Sequence, residues 1–175
     1  MSVIINGSAG VTTNSGAVYD GISRGTSVTV SGTSVDFTSI PSWVKRITVM
    51  FDGVSTNGTS SFLVQLGDSG GIENTGYIAG STYSNNTSAT TSSTAGYILN
   101  YGGFVSAATT IQGVLSVNNL NTNTWVASHA VSGNTGPSVY GGGSKTLSAT
   151  LDRIRITTVN GTDTFDAGSI NILYE

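Results

Sequence analysis

The chain reads PSWVKRITVMFDGV at residues 41–54, and this stretch has the densest apolar alternation in the sequence. Ile47, Val49 and Phe51 share one face of an extended chain, because successive side chains leave a strand on opposite sides. β-Branched and aromatic residues at these positions suit a pleated, half-buried surface. Pro41 has no N–H to give to a sheet, so we expect it at the beginning of the strand. The stretch therefore predicts a β-strand on which a core is built.

Further strands are expected on both sides of this one. The turn sequence at 56–59 is followed by a compact strand at 62–67, which is a plausible hairpin partner for the first. Alternation also places Ile154, Ile156, Ile170 and Ile172 on inward faces. Additional strands are predicted at 26–37, 77–83, 97–106, 110–120, 125–131, 145–151, 152–158 and 169–175. No stretch has helical periodicity with caps, and about ten strands at this spacing predict an antiparallel, jelly-roll-like β-sandwich with no substantial helix.

Composition narrows the function classes. The chain has 175 residues, of which 9% are charged, whereas about a quarter is usual in globular proteins. It contains six Lys and Arg without a basic cluster, and its net charge is −3. Nucleic-acid binding is not expected, because neutralising phosphates takes clustered cations. No run of about 18 apolar residues is present, so no membrane span is expected, and the absence of cysteine excludes disulfides.

Residues 1–26 differ from the rest of the chain. A short apolar run at 3–5 is followed by small residues rich in Gly, Ser and Thr. Such a segment seldom holds itself together, and it is read either as an attachment arm or as a disordered tail. It also lacks the charged region and long apolar run of a signal peptide. We therefore divide the chain into a flexible N-terminal arm at 1–26 and a β-sandwich domain at 27–175.

The sequence GDSGG at 67–71 matches the surroundings of the nucleophilic serine in trypsin-like proteases. That mechanism needs a histidine as base, and in those enzymes the histidine precedes the serine. The one histidine here is His129, which follows it, and Ile72 stands where a proline is usual. A Gly/Ser-rich turn explains the motif more simply, and we predict no enzyme activity.

Acidic pairs are the remaining chemical candidates. Asp68 with Glu73, or Asp163 with Asp166, would suit glycoside hydrolysis at the right separation, and the second pair would also suit Ca²⁺. Solvated turn residues are the competing interpretation, since Asp is common in turns. His129 has no second His or Cys to complete a metal site, and we expect it at a strand end or a subunit contact. No catalytic residue, metal or cofactor is assigned.

Binding residues are expected next to two polar stretches, 84–95 and 132–144, which we interpret as loops. Tyr83 and Tyr140 border these stretches and could stack on sugar rings, while Asn85 and Asn86 could hydrogen-bond sugar hydroxyls. A purely structural role for the tyrosines remains open. Trp43 and Trp125 lie in strand contexts and are expected in the core.

Three stretches carry a family resemblance: TSVDFTSIPSWVKRITVMFDGVSTNGTS at 33–60, NTWVAS at 123–128, and LSATLDRIRITTVNGTDTFDAGSINILYE at 147–175. They resemble a domain found in many tailed-bacteriophage virion proteins, often at the C-terminal end of tail fibres. The resemblance extends from about residue 28 to the end of the sequence. Its members look like binding or structural modules without a catalytic motif.

The resemblance implies a virion protein, assembled in the bacterial host cytoplasm and then exposed on the particle. It implies a tail-fibre or receptor-binding module that contacts host-surface glycans, and assembly as a homotrimer. Residues 1–26 would hold the protein to other virion proteins. The alternative is a capsid decoration or head-fibre protein with a purely structural role.

Overall fold

A computed structural model describes residues 4–6, 10–12, 18–19, 21–85, 87–99, 106–134 and 138–175. These residues form seventeen β-strands and no helix. The strands are β1 (Ile4–Asn6), β2 (Gly10–Thr12), β3 (Val18–Tyr19), β4 (Ser23–Arg24), β5 (Val28–Thr29), β6 (Val35–Phe37), β7 (Arg46–Thr56), β8 (Phe62–Asp68), β9 (Gly71–Ile72), β10 (Tyr77–Asn85), β11 (Thr87–Ser93), β12 (Tyr97–Ile98), β13 (Ile111–Asn121), β14 (Thr124–Gly133), β15 (Ser138–Thr146), β16 (Arg153–Thr158) and β17 (Phe165–Tyr174).

Two antiparallel sheets make the predicted β-sandwich. The larger sheet has nine strands in the order β11-β10-β15-β14-β13-β7-β17-β4, with β5 also paired to β17. The smaller sheet has the order β12-β8-β16-β6, with β9 paired to β8, and β1, β2 and β3 form a separate short sheet. No described helix has the length and apolarity to cross a bilayer. The all-β sandwich is confirmed, and the jelly-roll connectivity stays a prediction.

The central strand β7 confirms the predicted core face. Ile47, Val49 and Phe51 are buried, as are the four isoleucines predicted inward on β16 and β17. The strand begins at Arg46, because residues 41–44 form a turn in which the Val44 N–H donates to the Pro41 carbonyl. β7 therefore lies at the centre of the larger sheet, between β13 and β17.

The predicted hairpin between β7 and the strand at 62–67 is wrong. That strand is β8, which pairs with β12, β16 and β9 in the smaller sheet. Every residue of β8 is buried, so the strand lies inside the sandwich instead of beside β7. Apolar alternation shows which side of a strand is buried, but it does not show which sheet the strand joins.

The two stretches predicted as loops are largely strands. β11 runs antiparallel to β10, with Tyr83 opposite Ala89. Residues 138–146 form β15 between β10 and β14. Hydroxyl and glycine side chains gave no apolar alternation there, but backbone pairing does not depend on it. Glycine is needed inside β15, because a Cβ on Gly143 would overlap the carbonyl oxygen of Ile78 on the neighbouring strand.

Buried aromatic rings join the two sheets. Tyr77 and Tyr97 meet edge to face, with ring centroids 5.2 Å apart. The Tyr77 hydroxyl accepts a hydrogen bond from the Leu66 N–H at 2.6 Å, and the Tyr97 hydroxyl donates to the Trp125 carbonyl at 3.1 Å. Burial raises the pKa of both tyrosines. Trp125 is buried as predicted, whereas the same prediction for Trp43 is wrong.

Candidate binding surfaces

The structure separates the predicted binding residues. Tyr140 lies on β15 and is 53% exposed, whereas Tyr83 on β10 packs partly buried against the core. Their strands are neighbours, but Tyr83 pairs with Val139 and Tyr140 pairs with Thr82. The two tyrosines therefore face opposite sides of the sheet and do not form one platform. Asn85 is the last residue of β10, and the prediction for Asn86 lies outside the described residues.

The side of the larger sheet that carries Tyr140 has an unusual composition. We call the outward positions of β10, β11, β13, β14 and β15 the uncharged face. Strand register and alternation place on it only hydroxyl, amide, glycine and apolar side chains: Ile78, Gly80, Thr82, Ser84, Ser88, Thr90, Ser92, Gln112, Val114, Ser116, Asn118, Thr124, Val126, Ser128, Ala130, Ser132, Ser138, Tyr140, Gly142, Ser144 and Thr146.

Strand register arranges the side chains of the uncharged face in rows of different height. One row across the strands contains Tyr140, Ala130 and Val114, and it forms a ridge. The next row contains Gly80, Gly142, Ser128 and Ser116, which leave a shallow trough beside that ridge. A third row contains Ile78, Ser144 and Val126 and borders the trough on its other side. The face is therefore corrugated, with small residues between two lines of larger ones.

Charged side chains lie outside these five strands, and two of them, Arg46 and Asp52, are exposed on the same side of the neighbouring strand β7. Arg155 of β16 holds Asp36 of β6 through two hydrogen bonds of 2.7 and 2.6 Å on the smaller sheet. Arg153 pairs with the adjacent Asp152 at 2.6 Å. Within the described part of the chain, no ion pair involves an outward position of the uncharged face.

Trp43 is a surface aromatic, although its sequence context predicts a place in the core. Its side chain is 49% exposed, and its ring centroid lies 5.9 Å from that of Tyr174. An ion pair between Arg46 and Glu175 lies close by in the chain, and the N–H groups of Lys45 and Arg46 donate to the Glu175 carbonyl. We call Trp43, Tyr174, Arg46 and Glu175 the aromatic site. Pro41 is the sequence signal for this exposure. A turn after the proline interrupts the alternation that would otherwise place the Trp43 side chain inside.

The histidine lies inside the sandwich, contrary to the prediction of a strand end or subunit contact. His129 is in the middle of β14 and is buried. Its Nε2 lies 3.2 Å from the Ser81 hydroxyl, and its Nδ1 has no hydrogen-bond partner. Burial lowers the pKa of His129 to about 4. Because no acid orients the ring and Ser69 of the GDSGG turn lies in the β8–β9 hairpin, these residues do not form a protease triad.

The first acidic pair, Asp68 and Glu73, has a structural role. Asp68 accepts hydrogen bonds from the Ser148 hydroxyl at 2.6 Å and from the Gly70 N–H at 2.7 Å, which lower its pKa. Burial raises the pKa of Glu73, but hydrogen bonds from Lys145 and Ser148 outweigh it and leave the pKa lowered. A glycosidase needs one carboxyl group with a raised pKa. Both groups instead act as ionised acceptors that fasten the β8–β9 hairpin to residues 145–148.

The second acidic pair does not converge on one ligand. Asp163 accepts hydrogen bonds from the Asn160 side chain at 2.6 Å and the Ser60 N–H at 2.9 Å, which lower its pKa. Asp166 instead accepts a hydrogen bond from the Ser55 hydroxyl. Among the described residues, no group of three or more His, Asp or Glu side chains is placed to hold a metal ion.

Comparison with protein-family models, with curated proteins and with solved structures found no match. The function is therefore a proposal, and the structural observations that bear on it are the two surfaces above. The uncharged face presents a corrugated surface with exposed apolar side chains. The aromatic site presents a ring together with hydrogen-bonding groups.

Proposed function

We propose that the chain is a structural protein of a tailed-bacteriophage particle, exposed on the virion, where it contacts host-surface glycans as a tail-fibre or other receptor-binding module. The sequence resemblance supports the virion role. The observation that carries the glycan contact is the half-exposed Trp43 ring, which is supported by Tyr174. The conclusion is a binding module and not a catalyst.

The aromatic site suits a neutral sugar. The face of an indole ring packs against the apolar C–H side of a sugar ring, and the backing ring of Tyr174 limits its movement. Tyr174 lines a shallow pocket with Arg46 and Glu175, which would supply donors and acceptors for hydroxyl groups of the sugar. Each hydrogen bond would contribute about 1 kcal/mol. Useful affinity would therefore come from several copies, as in the homotrimer that the resemblance implies.

This site replaces the platform predicted from the sequence. Tyr83 packs against the core, so its ring has less surface to offer to a sugar. Tyr140 remains exposed, but it is surrounded by small uncharged side chains. Trp43, by contrast, lies against Tyr174, which lines a shallow pocket together with Arg46 and Glu175.

The test is adsorption of particles that carry Trp43→Ala, with Val159→Ala as the control because Val159 is another exposed apolar residue, at 56% exposure. We expect Trp43→Ala to lose at least tenfold in adsorption to host cells, while Trp43→Phe keeps part of it and Val159→Ala matches wild type. Incorporation into particles should be equal for all of them. Wild-type adsorption by Trp43→Ala particles would refute the glycan site.

A purely structural role, as a capsid decoration or head-fibre protein, is the second candidate, and the uncharged face favours it. A broad face without charged groups suits contact with protein more than recognition of a soluble ligand. Electron microscopy of particles with a labelled chain distinguishes the two, since a receptor-binding module lies on the tail and a decoration protein on the capsid.

Residues 1–26 are proposed as the attachment to other virion proteins. Part of this segment belongs to the sandwich, because β4 pairs with Leu173 and Tyr174 of β17. A deletion should therefore stop before β4, at residue 20. We expect the shortened chain to fold and to be absent from particles, and normal incorporation would show that the attachment lies elsewhere.

A further inference from the structure

We infer that the uncharged face is the surface through which copies of this chain contact one another. The inference rests on the proposed assembly of several copies, and it is independent of glycan binding. The resemblance implies contact between copies, but it does not say which surface of the fold makes that contact.

Charge distribution is the first argument. The chain has six Lys and Arg and nine Asp and Glu, yet none occupies an outward position on β10, β11, β13, β14 or β15. The smaller sheet, by comparison, presents Asp36 and Arg155 on its surface. Where copies bring this face together around a symmetry axis, equivalent positions come close to one another, and like charges there would repel. A face without charges avoids this cost.

Shape is the second argument. Tyr140 and Ser144 lie four residues apart on β15, with Gly142 between them, so the two lines of larger residues are separated by roughly 14 Å. The trough between them is floored by Gly80, Gly142 and Ser128. A ridge containing Tyr140 and Val114 on one copy matches such a trough on the next. Small side chains also allow two sheets to approach to the usual distance of about 10 Å.

Area and exposure are the third argument. Five strands, each offering about eight residues of length, present roughly 600 Å² in outline. A stable interface buries about 800 Å² on each partner, so the face has the required order of size. Ile78 is 77% exposed and Val114 is 43% exposed. Exposed apolar groups on a contiguous face of this size are typical of a protein contact.

The experiment measures mass in solution by light scattering at micromolar concentration, on the full chain. Val114→Lys and Ile78→Lys introduce a charge on the face, and Val159→Lys is the matched control, since Val159 is 56% exposed beyond β16 of the smaller sheet. We expect wild type and Val159→Lys to have a mass of at least twice 17.8 kDa, the mass of one chain. The two face variants should fall to the monomer mass with an unchanged circular dichroism spectrum.

A second measurement does not depend on adding a charge. The chain has no cysteine, so Ser128→Cys on the face and Val159→Cys away from it can each be labelled singly with a maleimide. We expect the thiol at position 128 to react at least tenfold more slowly in the assembled protein than the thiol at position 159.

The outcomes distinguish the proposed assembly of copies from the proposed contact surface. A monomeric wild type would overturn both the assembly and its contact surface. An assembled wild type with unchanged face variants and equal labelling rates would overturn the contact surface alone. Loss of adsorption in Trp43→Ala particles bears on neither, because Trp43 lies on none of the five strands that form the uncharged face.

Discussion

Tyr83 and Tyr140 lie on adjacent, hydrogen-bonded strands but face opposite sides of the larger sheet. In the ladder Tyr83 stands opposite Val139, and Tyr140 stands opposite Thr82. Because side chains alternate along a strand, this offset of one residue sends one ring towards the core and the other outward. The same residue type therefore has two different roles.

The two tyrosines should differ in their effect on stability. We expect Tyr83→Ala to lower the free energy of unfolding by about 2 kcal/mol, since the ring packs against the core. Tyr140→Ala should change it by less than about 0.5 kcal/mol. Urea unfolding of both variants in the Val114→Lys background, where copies should not associate, measures the comparison. Equal losses would contradict the opposite orientation of the rings.

The sequence predicted the sandwich because its core strands alternate. Ile47, Val49 and Phe51 on β7, and the isoleucines of β16 and β17, are buried at every second position. This pattern is local, so it can be read without knowledge of partners. The pairing of β8 in the smaller sheet depends on contacts distant in sequence, and no local pattern encodes it.

The surfaces were harder to predict for a related reason. β11 and β15 consist mainly of Ser, Thr and Gly, whose side chains show no apolar period, so the sequence alone predicts loops there. Their backbone ladder makes them strands, and that ladder places Tyr140 on an outward face. The exposure of Trp43 depends on a turn and on packing against Tyr174. Both features arise from tertiary contacts.

The ion pair between Lys145 and Glu73 should contribute to stability. Lys145 Nζ lies 2.5 Å from the Glu73 carboxylate with only 6% of the side chain exposed, and it also lies 5.4 Å from the centre of the Tyr77 ring. We expect Glu73→Gln to cost about 3 kcal/mol, because it leaves a buried charge without its partner. Urea unfolding at pH 7 measures the loss.

A double-mutant cycle tests the origin of that loss. Combining Glu73→Gln with Lys145→Met should cost less than the sum of the two single changes, since the double variant has no unpaired buried charge. Additive losses would show that the two side chains act independently. Asp36→Asn provides a comparison, because its pair with Arg155 is more exposed, and we expect a cost below about 1 kcal/mol.

Gly168 should be essential to the irregular pairing of β17 with β7. Its φ angle is +93°, it lies where the register of the two strands shifts, and a Cβ there would overlap the Gly53 backbone. Gly161→Ala is a matched control, since its φ is +67° but no atom lies within 4 Å of the added carbon. We expect the control to lower the free energy of unfolding by about 1 kcal/mol, from backbone strain alone.

For Gly168→Ala we expect about 3 kcal/mol, because overlap with the neighbouring strand adds to the strain. Thermal and urea unfolding of the two variants measure the difference. Similar losses in both would show that β17 can shift to accept the side chain, which would contradict a fixed register at this point.

His129 should make the protein less stable in mild acid. The ring is buried beside Ser81, and burial lowers its pKa from 6.5 to about 4. The unfolded chain therefore binds more protons than the folded one between these values. Stability from this residue is complete above pH 6.5, declines as the pH falls, and changes no further below about pH 4. The difference in pKa corresponds to roughly 3 kcal/mol in total, at 1.36 kcal/mol per pKa unit.

Nuclear magnetic resonance can follow this titration directly, because His129 is the only histidine in the chain. We expect its ring proton to keep the chemical shift of the neutral form down to about pH 5 in the folded protein. We also expect the free energy of unfolding of wild type to fall between pH 6.5 and 4.5, and that of His129→Gln to fall less, since glutamine can still hydrogen-bond Ser81 and has no charge to acquire. A histidine that titrates near pH 6.5 in the folded protein would show that the ring is reached by water, and it would contradict the closed packing between β10 and β14 on the inner side of the sheet.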